Sequence, residues 1–164
     1  MKDFVKDLNN LYKNEKAMHE IDNRYEGFDF IDPHNSEQSI VTLMRKGKNP
    51  KDFIIAVINF TPVVHYNYKI GVPYEGIYEE ILNTDDEKYW GSNQTMKNSE
   101  LTSYPEKWHN QNNHIIIKVP PLGVTFIKGK QLKIDTIQTN LNNKVSIGGK
   151  GNNILNSKTK TKKL

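Results

Sequence analysis

The opening segment carries its large apolar side chains at a helical spacing. Phe4, Val5, Leu8, Leu11 and Tyr12 fall at i, i+1, i+4, i+7 and i+8 on one stripe, and Lys2, Lys6, Asp7, Asn10 and Lys13 take the other face. A second short turn around Glu15-Lys16-Ala17-Met18 follows, and Asp22-Asn23 breaks it. From about residue 25 the period changes to two. Phe28 and Phe30 alternate with Asp29, then come Ile40–Met44 and the run Phe53–Phe60, apolar on both faces as a central strand must be. Tyr66–Ile70, Ile77–Leu82, Ile115–Val119 and Val124–Ile127 complete the set, with Gly47, Pro50, Pro62, Gly71, Pro73, Gly76 and Pro120-Pro121-Leu122-Gly123 punctuating the gaps. Short strands between such turns predict a mainly β fold, an antiparallel sandwich of Greek-key type with about seven or eight strands. Between Leu82 and His114 the pattern predicts a long polar loop, which holds both tryptophans.

An isolated helix of this length is marginal in water. Burying its five large apolar side chains would contribute very roughly 10 kcal/mol gross. A sandwich closes its own core, so the stripe is expected to face a neighbouring unit and not the sandwich; capping the sandwich is the other reading. If the stripe is free, replacing Leu8 and Tyr12 by charged residues should improve solubility without harming the fold.

Charge changes the picture at one end only. The 164 residues carry a net +4. Residues 129–164 hold eight lysines against Asp135 alone, and residues 1–128 hold 15 bases against 18 acids. The basic character therefore belongs to a Lys/Asn-rich flexible tail, read as solvated and disordered; the alternative is an arm for a polyanion. The body lacks the clustered positive charge that nucleic acid requires. The longest apolar run has eight residues, too few for a membrane span, and the start of the chain lacks an apolar secretory core. With no cysteine, thiolate metal sites and cysteine nucleophiles are excluded. A cytoplasmic location is expected.

Candidate chemistry is sparse. Glu79 and Glu80 are neighbours on a strand and point to opposite faces, and Asp85-Asp86-Glu87 reads as a solvated turn. The five histidines show no i, i+4 pair, so no metal or cofactor is expected. Trp90 and Trp108, with Tyr89 and Tyr104 nearby, are either plugs for the open ends of a sandwich or faces on which sugar rings stack.

Several segments then agree in order and spacing with a known family. Val57-Ile58-Asn59-Phe60-Thr61-Pro62-Val63 and Tyr68-Lys69-Ile70-Gly71-Val72-Pro73 resemble the C-terminal domain of bacterial 1,4-alpha-glucan (glycogen) branching enzymes. So do Tyr78–Asp85, Tyr89-Trp90-Gly91-Ser92-Asn93 and Val119-Pro120-Pro121-Leu122-Gly123. Two positions depart from the pattern: Trp90 stands in place of Gly or His, and Asn110 stands where Gly is expected. The resemblance covers residues 1–128 and implies three parts. Residues 1–24 look like the last helix of a (β/α)₈ catalytic barrel, with a link; 25–128 look like its C-terminal β-sandwich; 129–164 match nothing in the family. Phe4, Val5, Leu8, Leu11 and Tyr12 would then dock on that barrel. The alpha-amylase superfamily's catalytic carboxylates would lie outside this chain, leaving no catalytic residue here. The implied parent, a monomer, cleaves alpha-1,4-glucan and transfers it to a 6-hydroxyl, forming alpha-1,6 branches. The alternative is a free-standing module holding alpha-glucan through Trp90, Trp108 and Tyr89.

Overall fold

A computed structural model describes residues 1–133. The helix α1, Lys2–Asn14, is followed by a 3₁₀ turn, Lys16–Met18. Eight strands come next: β1 Phe28–Asn35, β2 Ile40–Lys46, β3 Phe53–Asn59, β4 His65–Val72, β5 Glu75–Asn83, β6 Leu101–Thr102, β7 Asn113–Val119 and β8 Val124–Lys133. Six form one antiparallel sheet in the order β1-β2-β3-β8-β5-β6, and β4 pairs with β7 in a second. The two layers enclose a core of Ile40, Met44, Phe53, Ile55, Val57, Tyr78 and Ile127 from the larger sheet and Ile70, Val72, Ile115, Ile117 and Val119 from the smaller. The expected mainly β sandwich is present, and β3 is the central strand its two-sided apolar run predicts, lying between β2 and β8. Among the described residues no helix is long and apolar enough to cross a membrane.

The helix departs from expectation. Because β3 sends alternate residues to opposite faces, Ile55 and Val57 enter the sandwich core while Ile54 leaves it. Ile54 and Leu82 join Leu11 and Ala17 in a second apolar cluster on the outer face of the large sheet, with Phe4, Leu8, Met18, Ile81 and Phe126 packed around them. Of the five stripe residues Leu11 is thus buried against the chain's own sheet, and Phe4 and Leu8 are half-buried beside it. Val5 and Tyr12 lie on the flank and are exposed. Part of the stripe is therefore taken up within the domain, and charge at Leu8 is expected to weaken that packing. A Glu15–Lys128 ion pair at 2.6 Å pins the C-terminal end of α1 to β8.

One boundary also moves. β8 continues to Lys133, six residues past the apolar run, with Lys130 beside Glu79 and Glu100 and Lys133 beside Glu75. The remainder of the Lys/Asn-rich tail lies outside the described residues.

Candidate functional site

Two polar clefts are candidates for chemistry, and residues of several family-like motifs line them. The first lies between α1 and β5. Leu11, Ile81 and Leu82 form its apolar part; Asp7, Asn10, Asn14 and Glu15 come from the helix side, and Glu80, Asn83, Asp86, Lys88, Tyr89 and Lys97 face them across a cavity of about 340 Å³. Four carboxylates therefore line one cleft, and each already has partners. Asp7 accepts from the Tyr89 hydroxyl at 2.7 Å and pairs with Lys88 at 3.0 Å, which holds its carboxyl below the usual range. Glu15 is held by Lys128. Glu80 accepts from Asn83 Nδ2 at 2.9 Å and from the Met96 amide at 3.1 Å, and its burial pushes its pKa up against those bonds. Burial also opposes charge on Asp86, but the Lys97 ammonium and the Lys88 amide outweigh it and bring that pKa down.

Asp85 and Asp86 are buried, which corrects the expectation of a solvated turn. Their carboxylates order the chain around them. Asp85 Oδ1 accepts from the Ser92 amide, and Oδ2 from the Ser92 hydroxyl and the Gln94 amide, all at 2.8 Å. Asn83 Oδ1 takes the Asp85 amide at 2.9 Å, and Thr84 Oγ1 takes the Val124 amide at 2.8 Å. Gly91 is required by close approach, since a Cβ there would sit 2.2 Å from the Asp85 carbonyl carbon. The segment from Asn83 to Ser92 is thus a hydrogen-bonded loop frame, with the 3₁₀ turn Glu87–Tyr89 inside it.

The structure separates the two tryptophans. Trp90 caps that turn in the left-handed region (φ 72°), is 91% exposed and lines neither cleft. Tyr89 serves the helix: its hydroxyl is on Asp7 and its ring meets Phe4 edge-on at 5.2 Å. Trp108 lines the second cleft, also about 340 Å³, with Asn35, Gln38, Tyr66, Asn67, Lys69 and His109 among the lining residues. Its placement follows from a two-residue hairpin turn. Trp108 and Gln111 exchange backbone hydrogen bonds while His109 and Asn110 both take positive φ, as a type I′ turn demands. Asn110 tolerates the conformation that glycine would take freely. Gly71 lets the hairpin lie on β4, because a Cβ there would come within 2.2 Å of the Trp108 carbonyl oxygen. Trp108 Nε1 donates to the Lys69 carbonyl at 3.1 Å, leaving the ring 39% exposed beside Tyr66, which is 66% exposed. Asn35 Nδ2 donates to Gln38 and to the Tyr68 hydroxyl, and His109 Nε2 stands 3.4 Å from Asp32. Burial lowers the His109 pKa, with Asp32 opposing. The Lys69 ammonium stands over the Trp108 ring, 5.1 Å from its centroid, so the cleft combines a part-covered indole, the Tyr66 ring, three amides and a cation, a lining suited to a polyhydroxylated ligand. The sequence singled out Trp108; Tyr66 and the amides of Asn35, Gln38 and Asn67 went unseen because two other segments, the end of β1 with its turn and β4, supply them.

The remaining motifs converge on Asn59. Its Nδ2 donates to Val63 O (2.7 Å) and Pro120 O (2.8 Å), and its Oδ1 accepts from the Thr61 amide (2.9 Å) and hydroxyl (2.8 Å). The Asn59-Phe60-Thr61-Pro62 and Pro120-Pro121-Leu122-Gly123 loops are therefore one locked unit. Among the described residues no cluster of three or more His, Asp or Glu is placed to hold a metal ion.

Residues 30–130 match the family described as alpha amylase, C-terminal all-beta domain. The chain belongs to that family. Its relatives include 1,4-alpha-glucan branching enzymes from Oceanobacillus iheyensis (47% identical over 76% of this chain), Rubrobacter xylanophilus (41% over 78%) and Clostridium perfringens strain 13 (49% over 76%). The matched part is 20%, 18% and 18% of those proteins. The chain spans about a fifth of the length of the curated relatives it matches. As an alpha-amylase C-terminal all-beta domain, it places its shared motifs in loop architecture: Asn59 and the Asn83–Ser92 frame hold turns in place.

Proposed function

We propose that the chain is the accessory all-beta portion of a 1,4-alpha-glucan branching enzyme, contributing support and no catalytic carboxylate. The parent activity would be cleavage of alpha-1,4-glucan and transfer of the freed end to a 6-hydroxyl. The observation that carries this reading is the state of the four carboxylates in the α1–β5 cleft. Retaining glycosyl transfer needs one free nucleophilic carboxylate and one protonated acid facing a sugar. Here Asp7, Glu15 and Asp86 are tied to lysines, and Glu80 holds the Asn83 and Met96 segments. On this reading residues 1–133 act as one compact unit that includes the helix, and the catalytic barrel is its partner.

The test is a chimera of the Oceanobacillus iheyensis branching enzyme in which this chain replaces the matching segment. Expected are a shifted iodine spectrum of amylose with the chimera and none with the isolated chain. Branching by the isolated chain, or a folded but inert chimera, would contradict the reading.

The second reading is favoured by one specific observation, the presence of Trp108 and Tyr66 on the lining of one amide-rich cleft. It gives the domain an alpha-glucan platform of its own, built on Trp108 without Trp90 or Tyr89. Retardation of the chain in a glycogen-containing native gel, lost in Trp108→Ala and kept in Trp90→Ala, is the expected result. Equal migration with and without glycogen would remove it.

A further inference from the structure

The Trp108 ring owes its place to its neighbour in the chain. His109 stands at the tip of the hairpin turn, yet its imidazole is turned inward and its side chain is only 19% exposed. Two partners hold that ring. Gly71 N donates to Nδ1 at 3.5 Å, and Nε2 lies 3.4 Å from Asp32 Oδ2. Nδ1 is therefore the acceptor and Nε2 carries the hydrogen, an arrangement that suits both partners only while the imidazole is neutral. A proton on Nδ1 would face the Gly71 N–H, donor against donor. Asp32, itself 16% exposed, also accepts from the Tyr68 hydroxyl at 3.4 Å, and Asn35 Nδ2 donates to that hydroxyl at 2.9 Å. His109 thus ties the turn to β1 and β4 at once.

Asp32 is the carboxylate that meets His109. From β4 the cleft also presents His65, Tyr66, Tyr68 and Lys69, and the Lys69 ammonium lies 3.4 Å from Glu106 and over the Trp108 ring. Lys107, just before the turn, is exposed. Burial holds the His109 pKa below its ordinary 6.5, with Asp32 opposing. A base whose pKa falls on folding contributes stability that is full above its unfolded pKa and is lost as pH drops to the folded value. Closure of the turn is therefore complete near neutrality and weakens below about pH 6.5.

We propose that Asp32 and His109 are positioning residues for the Trp108 surface: they hold the turn over its cleft, and protonation of His109 releases it, so that bound glucan is let go in mild acid. The glucan part rests on the Trp108 platform reading above. The hold on the turn does not, because it is built from Asp32, His109 and Gly71 whatever the cleft binds.

Nuclear magnetic resonance of the 164-residue chain tests both parts. The His109 ring carbons report its own titration. Exchange of the Trp108 indole N–H, which is bonded to the Lys69 carbonyl, reports closure, and the exposed indole of Trp90 is the reference at each pH. Expected is protection of Trp108 over Trp90 of roughly tenfold or more at about pH 7.5, falling severalfold by about pH 5 with the midpoint of His109. Asp32→Asn keeps an oxygen for Nε2 and removes the charge. It should lower the His109 midpoint by about half a unit or more, and the loss of protection should move with it. His109→Asn, which suits the left-handed turn, should give weak protection that no longer depends on pH. Protection that is flat with pH, that follows His65 instead, or that keeps its midpoint in Asp32→Asn would overturn the proposal. In glycogen-containing native gels the chain should be retarded at about pH 7.5 and migrate freely at about pH 5.5. Equal retardation at both would overturn the release. No retardation at either, with protection still following His109, would remove the platform reading and leave the Asp32–His109 hold standing.

Discussion

The Tyr89 hydroxyl donates to Asp7 Oδ2 at 2.7 Å across 82 residues of sequence, and that bond fastens the α1 helix to the Asn83–Ser92 loop frame. Lys88 reinforces it from the same turn, and the Phe4–Tyr89 ring contact closes the apolar side. None of these groups enters the sandwich core. Tyr89→Phe is therefore expected to free the helix and spare the sheets. Trypsin cleavage after Lys13 and Lys16 should accelerate several-fold while the thermal midpoint moves little. Equal cleavage rates in both proteins would show that the bond is idle.

The same contact gives the domain an acid-sensitive element. Tyr89 and Lys88 hold the Asp7 pKa below its ordinary value of 3.8. A carboxylate depressed on folding contributes stability that is complete above its unfolded pKa and is lost as pH falls through the folded value. Helix docking should therefore be insensitive to pH near neutrality and weaken below about pH 4. Asp7→Asn should dock less firmly at neutral pH and show a flatter decline in acid, read as trypsin sensitivity at neutral pH and as pepsin sensitivity in acid. A parallel decline would place the acid response elsewhere.

Asn59 makes four side-chain bonds at the end of β3, and no isosteric acid can replace it. Both amide hydrogens go to carbonyls, so Asn59→Asp would set a carboxylate against Val63 O and Pro120 O. Asn59→Ala, which leaves those carbonyls and the Thr61 amide without partners, is expected to cost about 2–4 kcal/mol in denaturant unfolding, and Asn59→Asp more. A loss under about 0.5 kcal/mol for either would mean that water satisfies the loops equally well.

Trp90 offers the opposite case. Its left-handed backbone costs roughly 1 kcal/mol for a residue with a side chain, and its ring is almost entirely in solvent. Trp90→Gly should leave stability unchanged or raise it by up to about 1 kcal/mol, because the strain relieved and the added chain entropy are of similar size. Clear destabilisation would show that the ring packs.

Periodicity carries the strands well because each one buries a face. β2, β3, β4 and β7 lie where alternation or a two-sided apolar run places them. The helix is also legible, but its partner is not. The run Phe53–Phe60 shows that Ile54 is buried without showing that α1 covers it. The β8 extension was missed because Gly129–Lys133 pairs with β5 through its backbone while its side chains are polar. β6, with two residues, has no pattern to read. Asp85 and Asp86 look like turn residues in sequence and become buried ligands of backbone amides only once Ser92, Gln94 and Lys97 fold back on them. Asn110 and Trp90, the two departures from the family pattern, prove to occupy left-handed positions, which is why glycine is the natural choice there.

The central claim is that α1 packs on the domain's own sheet through Leu11, with the Asp7–Tyr89 and Glu15–Lys128 contacts fastening it. Amide hydrogen exchange in the isolated chain tests it directly. The account predicts that the amides of Leu8 through Asn14 are protected far beyond those of a free peptide helix, with Leu11 most protected. Exchange of that segment at the rate of an unpacked helix, with β3 and β8 still protected, would contradict it.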